Sequence, residues 1–182
     1  MVATATLWAS GTPATTASGA GTWAGAANAA GANDGVYAGF TSVTTAEVGT
    51  ILCTGYAADA ALGMEIPTSV DSVVATVYVH VTGATGRWTS VTARLMDGAT
   101  ALGATETTVT LSTTATFSQA LTFTGVAAWA NLAGLGVRIT GTKANTTSSV
   151  MDVDAIGVVV NYTPSAVTGN TYSGGSYLIQ IG

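Results

Sequence analysis

Charge is scarce in this chain. Lys, Arg, Asp and Glu together make up 7% of its 182 residues, against about 25% in a typical soluble domain. The four cations, Arg87, Arg94, Arg138 and Lys143, are spread along the sequence, so no basic stripe can neutralise phosphates and no direct nucleic-acid binding is expected. Cysteine is limited to Cys53, which excludes an intramolecular disulfide and a cysteine-based zinc site. Within Ile51-Leu52-Cys53 it reads as a small core residue. Histidine is limited to His80; one imidazole among threonines, without an evident orienter or nucleophile, does not make a general base. Mean hydropathy is +0.48, yet no apolar run approaches the ~20 residues a spanning helix needs, so no membrane association is expected. The N-terminus has neither a basic n-region nor a compact apolar h-region, which predicts no secretory signal peptide.

Thr, Ser, Ala and Gly take the place of charge, and they are organised by period-2 patterns. The longest runs through Ile66 to Val81, where Val73, Ala75, Val77, Val79 and Val81 fall on one side of an extended chain and Val74, Thr76, Tyr78 and His80 on the other. Arg87 to Met96 alternates likewise, with Val91, Ala93 and Leu95 on one face. Further strands are predicted at Val36 to Phe40, Thr50 to Tyr56, Thr105 to Leu111, Thr116 to Phe123, Leu135 to Thr140 and Val153 to Tyr162, the last with Ile156, Val158, Val160 and Tyr162 on a shared face. Only the stretch 126–134 has helix-compatible spacing, for a turn or two. About eight strands without helical crossovers predict an all-β fold, an antiparallel β-sandwich; their length suits a jelly-roll-like arrangement.

The chain divides into three parts. Residues 1–33 are low-complexity Ala, Gly, Thr and Ser and read as an N-terminal arm lying along another surface, with Trp8 and Trp23 as its anchors; the alternative is that they fold back on their own domain. Residues 34–164 hold the sandwich. Residues 165–182 are a linker followed by a short apolar strand containing Tyr177, Leu178, Ile179 and Ile181, suited either to covering an edge of its own sheet or to adding to a neighbour's.

Several short motifs follow one another along the chain: Trp23, Asn28-Ala29, Asn33-Asp34-Gly35-Val36-Tyr37-Ala38, Ile66-Pro67 with Val70, Val91 to Leu95, Val137-Arg138-Ile139, and Val153-Asp154-Ala155 with Tyr162. Together they resemble a domain frequent in tailed-bacteriophage virion proteins, over roughly Trp23 to Tyr162. The resemblance implies a jelly-roll-like sandwich that decorates heads or forms part of tail fibres, generally as a homotrimer. It implies no activity, cofactor or catalytic residue. The hydroxyl-rich arm lies outside that pattern, and the closing strand here ends Val-Asn-Tyr rather than in paired aromatics.

Candidate chemistry is sparse. Asp152 and Asp154, as i and i+2 on a strand, would point to one face and with Asp71 or Asp97 offer oxygen ligands to calcium; the alternative is pairing with Arg94 or Arg138, or solvation. Arg87 and Trp88 form a cation and aromatic pair at a loop tip, readable as a sugar-stacking site, an interface anchor, or a cap on the sandwich end. The dispersed Glu47, Asp59, Glu65 and Glu106 give no glycosidase pair. The expected function is a non-enzymatic virion protein, a capsid decoration protein on the shell exterior whose partners are the major capsid protein and copies of itself. Its interface residues are expected at Trp8, Trp23, Tyr177, Leu178, Ile179 and Ile181. The alternative is a receptor- or carbohydrate-binding module of a tail fibre or baseplate, reading a glycan with the loops around Arg87-Trp88 and Gly141 to Ser149. No cofactor is expected.

Overall fold

The computed structural model describes residues 1–61, 67–103, 106–125 and 134–164. Among them the strands are, in chain order, β1 (Val2–Ala3), β2 (Leu7–Trp8), β3 (Ala14–Ala17), β4 (Thr22–Ala24), β5 (Ala38–Ser42), β6 (Val48–Thr54) and β7 (Pro67–Val81). There follow β8 (Trp88–Asp97), β9 (Thr100–Ala101), β10 (Thr107–Thr108), β11 (Gln119–Thr124), β12 (Leu135–Lys143) and β13 (Ser149–Pro164). One sheet runs β11-β7-β13-β5-β4 with β1 and β2 also on β13; the other runs β10-β8-β12-β6-β3 with β9 beside β8. Every pairing is antiparallel.

From β5 onward the chain visits the sheets in a fixed sequence: β5, β7, β11 and β13 in the first, β6, β8, β10 and β12 in the second. That interleaving of eight principal strands is a jelly roll. The first sheet is called here the β13 sheet and the second the β12 sheet.

The core lies between the sheets, where alternation puts it. Val73, Ala75, Val77, Val79 and Val81 of β7 are all buried, as are Val91, Ala93 and Leu95 of β8 and Val137 and Ile139 of β12. In β13, Met151 and Val153 are buried before a register shift, and Ile156, Val158, Val160 and Tyr162 after it. A bulge at Asp154-Ala155 is what lets both apolar sets face inward, since a one-residue slip exchanges the faces of a strand.

At one end of the sandwich Gly49 of β6 and Gly141 of β12 stand opposite each other. The space their missing side chains leave is filled by neighbours: a Cβ at Gly49 would run into the Phe40 ring, and one at Gly141 would run into the Met151 thioether and come within 3.1 Å of the Trp88 ring. Phe40 in turn stacks between Trp23, at 5.4 Å, and Trp88, at 6.0 Å.

Residues 1–33 belong to the sandwich, which therefore begins at Val2 rather than at residue 34. β3 pairs with β6, β4 with β5, and β1 and β2 with the outer half of β13, beyond the reach of β5. An arm on a neighbouring surface was the expectation; folding back is what the structure has. Backbone pairing explains the difference, because an uncovered strand edge offers N–H and C=O groups to any extended segment whatever its side chains. The expected C-terminal strand with Tyr177, Leu178, Ile179 and Ile181 lies outside the described residues, as does nearly all of the helix-compatible stretch.

Candidate functional site

Three regions hold the polar and aromatic side chains that a binding site would use. The first is the aromatic end of the sandwich. Trp88 is 3% exposed and donates its indole N–H to Ser149 Oγ at 2.9 Å, so its ring cannot stack a sugar; of the readings open for it, capping the sandwich is the one the structure has. Arg87 is held at the surface by a 2.7 Å bond to the Ser148 carbonyl. Beneath it, Lys143 is 1% exposed and donates to the carbonyls of Arg87 and Thr147 and to Asn145 Oδ1, with its ammonium 5.8 Å from the Trp88 centroid. All three donors are used. Burial and the neighbouring Arg87 push the Lys143 pKa down.

Glu47 sits at the same end and ties the N-terminal segment down. Its carboxylate accepts from Ser42 Oγ at 2.5 Å and from the Ala20 and Thr44 amides at 2.6 and 3.3 Å. The Ser42 bond, with the backbone amides, holds its pKa below the ordinary 4.5 against an opposing push from burial. Neither sequence motif nor spacing marks Glu47, because its partners come from both sides of a turn and from residue 20.

The second region is the outer face of the β13 sheet. His80 is buried, with Nε2 3.5 Å from Asp152 Oδ2, and the Tyr37 ring meets it edge-on at 4.8 Å. Burial raises the Asp152 pKa, while His80 pulls the other way. Asp154 has separate work: it accepts from the amides of Asp34 and Gly35 at 3.3 and 2.9 Å, and Gly35 adopts the left-handed φ of 79° that this turn requires. Burial raises the Asp154 pKa, with those two amides opposing. Asp71 accepts from Ser69 and Thr163. The carboxylates that could have offered calcium a site thus serve different partners, and among the described residues no group of three or more His, Cys, Asp or Glu is placed to hold a metal. Farther along the same face Trp8 lies over Gly157, half-buried, with its ring 6.2 Å from Tyr78. Trp23 is likewise half-buried and donates its indole N–H to the Thr16 carbonyl.

The third region, the outer face of the β12 sheet, was not marked as a site by the sequence. Register brings Thr16, Thr50, Thr140, Thr92 and Thr108 into one row across five strands. In the next row Leu52, Arg138 and Arg94 stand side by side. Outward parity of Thr50, Thr92, Thr108 and Thr140 is readable in the sequence; that they align, and that Thr16 joins them, depends on register, which is not.

No protein-family model matches the chain, and no curated protein matches it in sequence. Among solved structures, an arabinose-bound α-L-arabinofuranosidase, MgGH51, is similar at 13% identity and a TM-score of 0.47, over 86% of this chain and 26% of that one. The chain spans about a quarter of that protein's length, and likeness at this distance says nothing of activity.

Proposed function

We propose that this chain is a non-enzymatic structural protein of a tailed-bacteriophage virion, a capsid decoration protein that sits on the shell exterior as a homotrimer and stabilises it by bridging neighbouring subunits. The observation that carries the reading concerns the motifs behind the virion-domain resemblance. Three of them are joined by hydrogen bonds: Asn28 of the Asn-Ala element donates to the Tyr37 carbonyl at 3.0 Å, and the Asp34-Gly35 turn donates to Asp154 of the Val-Asp-Ala element. Residues distant in sequence that hydrogen-bond to one another are ones a shared fold would keep together. A surface poor in charge and rich in hydroxyl groups also suits a protein held in an assembly.

Stabilisation would follow from mass action, since surface buried between subunits lowers the free energy of the folded, assembled shell. The contact we assign to the stretch from Tyr177 to Ile181. Its root is fixed at one place on the sandwich, because β13 ends at Pro164, two residues beyond the Tyr162 that pairs with Val2. Imaging of intact particles tests the reading: three-fold clusters over the head are expected, and a few copies at the tail tip would instead favour the receptor-binding alternative. Removing residues 166–182 is expected to leave the sandwich folded and abolish retention on particles. Undiminished occupancy would sink the assigned contact.

A further inference from the structure

We infer that the outer face of the β12 sheet binds an acidic saccharide of the polyuronate type, its carboxylates received by Arg94 and Arg138 and its hydroxyls by the threonine row. The inference holds wherever in a particle the chain resides.

Arg94 and Arg138 are direct cross-strand partners. Like charges placed opposite each other in a sheet are destabilising, and a chain with four Lys and Arg in all puts two of them here. Among the described residues one carboxylate answers them: Glu106 accepts from Arg138 Nη2 at 2.9 Å and from Thr92 Oγ1 at 3.0 Å, while Arg94 donates one bond, to the Gly103 carbonyl at 3.1 Å. Two guanidiniums against one carboxylate leave a local excess of one positive charge. Both Nε atoms are buried without a partner, and no other bond to either guanidinium occurs among the described residues. Yet the pair is within reach of solvent, since the Arg138 side chain is 29% exposed. With the Nε atoms buried and each Nη2 engaged, an incoming carboxylate would accept from the Nη1 group of each arginine.

The threonine row favours a saccharide over a protein as the bearer of that carboxylate. Thr50, Thr140 and Thr92 alternate with buried Ile51, Ile139 and Ala93, so their side chains stand on the outer surface. Adjacent strands lie about 4.8 Å apart. Along the row the Thr16 and Thr50 hydroxyls bond to each other at 2.5 Å and Thr92 Oγ1 donates to Glu106, while Thr140 and Thr108 keep their hydroxyls for a ligand beside the arginines. Protein interfaces are enriched in aromatic side chains, Met and Arg; apart from the two arginines, the positions in register beside this row, Leu52 on one side and Val48, Thr142 and Ser90 on the other, supply none of these.

Calorimetric titration of the full chain at low salt, with an oligogalacturonate, its methyl-esterified counterpart and poly-glutamate, tests the inference. Oligogalacturonate is expected to bind, with affinity that falls as salt is added. Arg94→Gln and Arg138→Gln should each weaken it about tenfold, the loss of one charge-assisted contact. Glu106→Gln should tighten binding by removing the resident competing carboxylate, a gain that a damaged fold would not give. Thr140→Val should weaken oligogalacturonate and leave poly-glutamate unaffected. Absence of oligogalacturonate binding, or equal binding of the ester, would overturn the site. Poly-glutamate binding as tightly as the uronate would overturn the saccharide and point to an acidic protein partner.

Discussion

Glu47 is a side chain whose removal has a predictable pH signature. Its folded pKa lies below the ordinary 4.5, so the stability it contributes is present above that value and is lost as pH falls through the folded one. Asp152 and Asp154 are shifted upward from 3.8; they favour the fold when protonated and lose that contribution as pH rises through their folded values. Comparing wild type with Glu47→Gln cancels the aspartates. The gap in thermal midpoint between the two should be widest near about pH 7 and narrow below about pH 4.5; a gap constant across that range would show that the carboxylate charge is not what holds Ala20 and Ser42. Cys53 makes a second residue-scale test. Burial pushes its thiol up to about 12 and its Sγ faces the Ala29 carbonyl at 3.6 Å, so a thiol reagent at about pH 8 should modify it only at the rate at which the sandwich opens.

At the scale of elements, the aromatic end depends on Gly49 having no side chain. Gly49→Ala should cost about 1–3 kcal/mol through overpacking against Phe40, read from the denaturant midpoint. The N-terminal strands supply another test. Deleting residues 1–22 removes β1, β2 and β3 and uncovers edges of β13 and β6, so the truncated chain should show a lowered thermal midpoint and concentration-dependent aggregation. An unchanged midpoint would mean that these strands are ornaments rather than parts of the sheets. The same elements mark what a sequence can tell. β7 and β8 are legible residue by residue because each buries one face. In β13 the apolar residues change parity between Val153 and Ile156, a change visible in the sequence whose cause is the bulge at Asp154-Ala155. β1 to β4 are not legible. They run two to four residues each, too short for periodicity, and are selected by backbone edges that exist only once β5, β6 and β13 are in place. The site fares worse: Trp88 reads as exposed from its place at a loop tip, whereas Phe40, Lys143 and Ser149 enclose it, and the pairing of Arg94 with Arg138 is a fact of register alone.

For the whole molecule, the shortage of charge predicts an unusual indifference to salt. Among the described residues the ion pairs are Arg138 with Glu106 and, when His80 is protonated, His80 with Asp152. Raising sodium chloride from about 0.1 M to about 1 M should therefore change stability by no more than about 1 kcal/mol apart from general salting effects, measured with chloride salts that are weakly excluded from the surface. The cohesion of the sandwich rests instead on one continuous apolar core contributed by both sheets.

β13 bonds to β7 along one side and to β5, β2 and β1 along the other, and it is the last strand to leave the ribosome among those described. Until it emerges, β1 and β2 have nothing to pair with, and β5 and β7 have a gap between them. Loop closure over so long a stretch must precede the reward. Folding of the first sheet therefore waits on synthesis: the nascent chain carries a growing set of open apolar strands until β13 emerges, which makes the interval before β13 arrives the period of greatest exposure to misassembly with other copies.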